Sequence, residues 1–233
     1  MKSFRDALSF LTIIKFYSPD FDASKALSSF AYVGVLIGGV LATISILLHG
    51  NFAEPILILI CWVALTGALH MDGLMDMADA LFSHRDRERK LEIMKDSRSG
   101  AMAVVVAILL ILAKFTAIKE IANPLVYIVI PAYARFGLVW SMKTMPYVRS
   151  EGTGKMFFDG TNSTWLIQIV PIIAISLFLG LKVAIAVAVC FIISVLVLQK
   201  WYRSQIGGIT GDLLGAQCEL TEVAMLFVCA GML

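Results

Sequence analysis

Long apolar runs alternate with short charged ones along this chain, and the apolar runs set the architecture. A membrane-spanning helix needs about 20 mostly apolar residues. Runs of that kind occupy Ala31 to Leu48, Pro55 past Ala68, Ala101 to Ile118, Pro124 to Met142, and Leu213 to Leu233. The run from Trp165 to Lys200 is too long for one span, and Gly180-Leu181-Lys182 in its middle predicts a helical hairpin turn. The pattern therefore predicts an all-α, polytopic membrane bundle of about seven helices, forming one domain over residues 1–233.

Composition supports this. The chain is 59% hydrophobic, against about 45–50% in soluble domains, and its mean hydropathy is +0.86. The net charge of +2 is too small to argue for a nucleic-acid partner. Lys and Arg cluster before the first span and in the loops after spans two, four and six, whereas only Lys119 and Lys182 fall on the opposite side. The positive-inside rule then places the N-terminus and the basic loops in the cytoplasm, with the lipid bilayer as a partner. Four cysteines, Cys61, Cys190, Cys218 and Cys229, all lie in apolar runs without close pairing and read as packed thiols.

Two stretches break the apolar pattern with carboxylates. His70-Met-Asp72-Gly-Leu-Met-Asp76-Met-Ala-Asp79 closes span two, and Asp212, Glu219 and Glu222 open span seven. Acidic side chains at membrane depth are costly and mark a functional site by default. Asp72, Asp76 and Asp79 stand at i, i+4 and i+7, on one helical face. Asp212 and Glu219 are also seven apart, and Glu222 lies roughly 15 Å along the helix from Asp212. Such a concentration of negative charge calls for protonation or a shared divalent cation, and hard oxygen ligands suit Mg²⁺ bound together with substrate phosphates.

Other polar features gather on the same predicted side. Gly207, Gly208, Thr210 and Gly211 precede span seven, where glycines and a helix N-terminus favour an anion. Lys95, Asp96 and Arg98 stand before span three, placed to meet a phosphorylated substrate. Arg135 lies within span four and needs a partner there. Pro146-Tyr147-Val148-Arg149-Ser-Glu151-Gly152-Thr-Gly154-Lys155 is a charged, Gly-punctuated loop of the type that carries binding residues. His70 is placed to orient an acid or a phosphate. Together these features suggest a membrane enzyme acting on a phosphate ester or pyrophosphate. An ion-coupled transporter is the rival class, disfavoured by the one-sided clustering.

The run from Gly67 through Phe82, the segment Asp86 to Gly100, Arg135, the loop Pro146 to Gly154, and Gly207-Gly-Ile-Thr-Gly-Asp212-Leu-Leu-Gly215-Ala216 followed by Glu219 and Glu222 resemble the cobalamin synthase family, the adenosylcobinamide-GDP ribazoletransferases. The resemblance covers nearly the whole chain in order. It implies a Mg²⁺-dependent transferase of the cell membrane with its active site facing the cytoplasm. The reaction would join adenosylcobinamide-GDP to α-ribazole or its 5′-phosphate with release of GMP. A homo-oligomer, or a complex with other late corrinoid enzymes, is left open. The resemblance implies metal roles for Asp72, Asp76, Asp79, Asp212 and Glu219, with Asp76, Asp79, Glu219 and Glu222 as catalytic groups. His70, Lys95, Asp96, Arg98, Arg135, Arg149, Lys155, Gly207, Gly208, Thr210 and Gly211 would bind substrate. One departure stands out: Thr12-Ile13-Ile14-Lys15 replaces the family's Thr-Arg-Ile-Pro-like run, with Lys15 expected to supply the lost charge. CDP-alcohol phosphotransferases offer a weaker match, since Asp72-Gly73 echoes their signature but Asp79-Ala80 is not followed by Arg.

Overall fold

The computed structural model describes residues 2–16, 21–149, 154–158 and 163–232. Residues 150–153 of the loop before span five therefore lie outside the described residues. Regular structure among the described residues is helical. Among the described residues, the extended pairing is a parallel bridge between Tyr147 and Ile209.

Among the described residues, five helices are long and apolar enough to cross a membrane: α3 (Phe30–Leu48), α7 (Ala101–Lys119), α8 (Leu125–Thr144), α10 (Leu181–Ile206) and α11 (Gly211–Ala230). A sixth candidate is the pair α4 (Glu54–Thr66) and α5 (Leu69–Leu81). Shorter elements are α1 (Lys2–Leu11), α2 (Ala23–Leu27), α6 (Arg87–Ile93) and α9 (Ile169–Ser176).

Two of the expected spans depart from straight membrane helices. The run from Pro55 into the acidic stretch is uninterrupted in hydropathy, yet its two helices meet at 87°. The break falls at Gly67 and Ala68, both left-handed with φ of 57° and 56°. Ala68 is an unusual residue for that region. The first half of the 165–200 run forms only a short apolar segment, Trp165–Leu179. It mixes 3₁₀ turns with α9, and the predicted turn appears at Gly180.

α8 is the central helix, 83% buried, while α7 and α10 bury only 28% and turn apolar faces outward. Gly34 and Gly38 let α3 close onto α8, since a Cβ at Gly34 would lie 2.6 Å from Ala132 Cα. Small residues four apart are a recurrent device of membrane helix packing. A buried polar layer also pins the bundle: Gln217 donates to Gly137 O at 2.9 Å and accepts from Ser141 Oγ at 2.7 Å, and Gln199 Nε2 donates to Ser141 Oγ at 2.8 Å.

α6, the 146–149 loop and the 207–210 loop gather at one end. Arg87 Nε donates to Ile206 O at 2.8 Å, and Lys90 Nζ donates to Gln205 Oε1 at 2.6 Å, docking α6 on the end of α10. Val148 N donates to Ile209 O at 3.1 Å and Ile209 N to Pro146 O at 2.9 Å, joining the loops before α9 and α11. Phe157 packs on Phe10 at 4.6 Å and Phe30 at 5.5 Å between ring centroids, holding α1 across the same end.

Candidate active site

The acid-bearing helices α5 and α11 cross in backbone contact. A Cβ at Gly73 would lie 2.6 Å from Asp212 O, and one at Gly215 would lie 3.1 Å from His70 O. The hydrogen side chain of Gly73 permits so close a crossing, and Gly215 makes a second tight approach. It brings Asp212 beside the α5 acids, so that the charges of Asp212, Asp72, Arg149 and Asp79 all act on the half-buried Asp76.

The bridge between the two loops delivers the neutralising cation. Arg149 follows Val148, and its Nη2 lies 2.6 Å from Asp212 Oδ2. This is an ion pair without hydrogen-bond alignment. Arg149 Nε is buried and has no hydrogen-bond partner among the described residues. A cavity of about 190 Å³ opens here, lined by His70, Asp72, Gly73, Gly154, Gly211 and Asp212, with Phe10 and Leu11 of α1 on its wall. Three carboxylates, one guanidinium with a donor to spare and an adjoining cavity are suited to a phosphate accompanied by a hard cation. No three or more His, Cys, Asp or Glu side chains among the described residues form a ready-made metal cage. The donor set therefore fits a cation that keeps waters and borrows phosphate oxygens, as Mg²⁺ does, better than a fully protein-ligated ion.

The remaining expected site residues separate into several local tasks. Asp79 accepts from Gly100 N at 2.5 Å and Ala103 N at 2.8 Å, capping the N-terminus of α7. Thr210 is fully buried and caps α11 by accepting from Leu213 N at 3.2 Å. Gly208 packs against the 146–148 loop, where a Cβ would lie 2.5 Å from Val148 Cγ1, and Gly207 ends α10. Of the three glycines only Gly211 faces both the cavity and open space. Arg98 makes a forked pair with Asp96, Nη2 to Oδ2 at 2.6 Å and Nε to Oδ1 at 3.0 Å, on an exposed turn. Those hydrogen bonds hold the Asp96 carboxyl down to about 2. Lys95 is exposed on the same turn. Lys155 begins a 3₁₀ turn immediately after the cavity-lining Gly154. Lys15 folds back on α1, donating to Ser9 O at 2.7 Å and Thr12 O at 3.1 Å, so its ammonium is spent on helix-end carbonyls.

Glu219 and Glu222 lie deeper. Lys114 Nζ donates to Glu219 Oε2 at 2.6 Å and Glu222 Oε2 at 2.5 Å, and Arg135 Nη1 binds Glu222 Oε1. Lys114 also sits 4.6 Å from the centre of the Trp62 ring. Lys114, Arg135, Glu219 and Glu222 are all buried. Arg135 thus has the partner that its position in a span demands. His70 links the two zones: it lines the cavity, its Nδ1 has no partner among the described residues, and it feels the charges of Arg135, Glu222 and Lys114. Lys114 is the functional-region residue that sequence reasoning missed. Its signal was a lone Lys well inside the apolar run from Ala101 to Ile118.

These features define a class: a helical, membrane-type protein with an acidic cavity beside an Arg149–Asp212 ion pair. Sequence comparison then specifies the family. The profile of the CobS family, described as cobalamin-5-phosphate synthase, matches residues 3–230, and the chain belongs to that family. It is 37% identical to an adenosylcobinamide-GDP ribazoletransferase of Brevibacillus brevis, covering 99% of this chain and 98% of that protein. Proteins of the same description from Clostridium acetobutylicum and Pseudomonas aeruginosa are 38% and 39% identical, covering 88% of this chain and 84% and 86% of theirs. No solved structure matches the chain.

Proposed function

We infer that this chain carries the activity of its family: it is an adenosylcobinamide-GDP ribazoletransferase of late vitamin B12 biosynthesis. The reaction forms a bond from an α-ribazole hydroxyl, or that of its 5′-phosphate, to the cobinamide-side phosphorus and breaks the bridge to GMP. The observation that carries the assignment to this site is a cavity lined by Asp72 and Asp212, with Arg149 paired to Asp212 and Asp76 close enough to feel the same charges.

We propose that Asp72, Asp76 and Asp212 hold Mg²⁺, with Asp79 and Glu219 outside the first set because they are engaged by α7 and Lys114. When bound, the ion would neutralise the diphosphate and polarise its phosphorus. Arg149 reaches a phosphate oxygen through Nε while Nη2 stays with Asp212. Gly211 keeps the N-terminus of α11 open to the diphosphate. A carboxylate of the Asp72, Asp76 and Asp212 group accepts the hydroxyl proton of the attacking ribazole. His70 forms the cavity wall that orients that hydroxyl. The cavity of about 190 Å³ suits the reacting phosphates alone, so the corrin ring stays outside, toward the α1 face. α1, amphipathic with Lys2 and Arg5 exposed, would lie along the membrane surface there.

The five long helices and the bent pair α4–α5 give up to six spans, and we propose the short apolar segment Trp165–Leu179 as a seventh membrane segment. We place the loop-rich, acidic end in the cytoplasm on the distribution of Lys and Arg. The deciding experiment is GMP release from adenosylcobinamide-GDP by purified protein, with and without α-ribazole and Mg²⁺. Release is expected only when both are present, and release indifferent to both sinks the proposal.

A further inference from the structure

α7 contributes no side chain to the cavity, yet it is tied to both helices that do. Near its N-terminus, Gly100 N and Ala103 N donate to Asp79 of α5. Eleven residues after Ala103, Lys114 holds Glu219 and Glu222 of α11. The two ties are roughly 16 Å apart along the helix. α7 is therefore a strut between the two acid-bearing helices.

The second tie controls where Asp212 points. Asp212 and Glu219 are seven residues apart, so they share a helix face to within about 20°. Fixing Glu219 against Lys114 fixes the rotation of α11 about its axis, and with it the direction of Asp212. The crossing at Gly73 and Gly215 sets the separation of α5 and α11 but presents only hydrogens, so rotation is set by the polar ties of α11: Gln217 to α8 and Glu219 to Lys114 of α7. Lys114 is itself held rigidly, buried at 1% exposure against the Trp62 ring. Its two carboxylate bonds leave it little rotamer freedom.

We propose that Lys114 is a positioning residue for the acidic site: it locks the rotation of α11 so that Asp212 faces Asp72 and Asp76. The proposal rests on the reading of those three acids as a divalent-cation site. It also explains a lysine in the middle of a lipid-facing helix, where an ammonium is otherwise a cost.

The test is Mn²⁺ binding to detergent-purified full-length protein, followed by loss of the free-ion electron paramagnetic resonance signal, without substrate. Lys114→Met removes the tie and keeps the side-chain length. Coulomb's law alone predicts tighter Mn²⁺ binding when a nearby cation is deleted. Loss of positioning predicts the opposite sign, a dissociation constant about tenfold higher. Glu219→Gln keeps an amide oxygen able to accept from Lys114 Nζ, so the tie to α7 survives and Mn²⁺ should bind as in the parent. If Lys114→Met alone does not fold, the charge-balanced pair Lys114→Met with Glu219→Gln takes its place and should show the same weakening relative to Glu219→Gln. Affinity that is unchanged or tighter in the folded Lys114 variant overturns the proposal. So does equal weakening in Glu219→Gln alone, which would make Glu219 a ligand. Absence of Mn²⁺ binding by the parent protein overturns the metal reading itself, and the positioning role falls with it.

Discussion

The cavity mouth and the buried layer beneath it hold similar residues in opposite electrical states. At the mouth, Asp72, Asp76 and Asp212 face one guanidinium, that of Arg149. In the buried layer, Glu219 and Glu222 face Lys114 and Arg135, two anions against two cations. The difference follows from solvent. Charges taken fully out of water must be paired or they cost several kcal/mol each. Carboxylates beside an open cavity keep water and can remain unbalanced until a ligand supplies the missing charge. We propose that the unbalanced zone is the place for chemistry and the balanced zone is architecture.

That contrast can be broken from either side. The largest effect is expected in the buried layer. Glu222→Gln leaves Arg135 without its anion and should cost about 3–5 kcal/mol of stability, read as a lower thermal midpoint and a smaller folded fraction by gel filtration in detergent. The surviving folded protein should still turn over in the presence of Mg²⁺. If Glu222→Gln is instead stable and inactive, the buried layer is catalytic and the contrast collapses. Asp76→Asn should do the reverse. Membrane insertion and the thermal midpoint should hold, while GMP release falls by about 10²–10³-fold. Normal Mg²⁺-dependent rates in purified Asp76→Asn protein would remove Asp76 from the site. The smallest effect is expected from Arg149→Gln. With the phosphate-facing Nε gone but the carboxylates intact, KM for adenosylcobinamide-GDP should rise about tenfold with a lesser change in kcat. A kcat loss without a KM change would assign Arg149 to the reacting centre instead of to substrate capture.

Much of the architecture was legible from local pattern. The apolar runs at 31–48, 101–118 and 124–142 correspond to α3, α7 and α8 within a residue or two. The turn at Gly180 and the glycine-rich approach to α11 were legible too. The bend between α4 and α5 was not, because hydropathy runs unbroken across Gly67 and Ala68. A lone glycine does not by itself announce a turn of 87°. Sequence spacing places the six acids in two stretches without saying which of them meet. The structure draws Asp212 toward Asp72 and Asp76, gives Asp79 to the end of α7, and gives Glu219 and Glu222 to Lys114 and Arg135. Capping by Asp79 and Thr210 was hidden by a shared vocabulary: the oxygens that cap helices also ligate metals.

Helicity, long apolar spans, the confinement of the costly acids to two segments and the family motifs are all written in local pattern, in runs and spacings within about 20 residues. Which acids meet one another and which meet cations emerges from packing alone. Lys114 is 105 residues from Glu219 and 108 from Glu222 in the chain. No local pattern encodes such a pairing. It arises where helices pack closely enough that a buried charge must find its partner or not be buried at all.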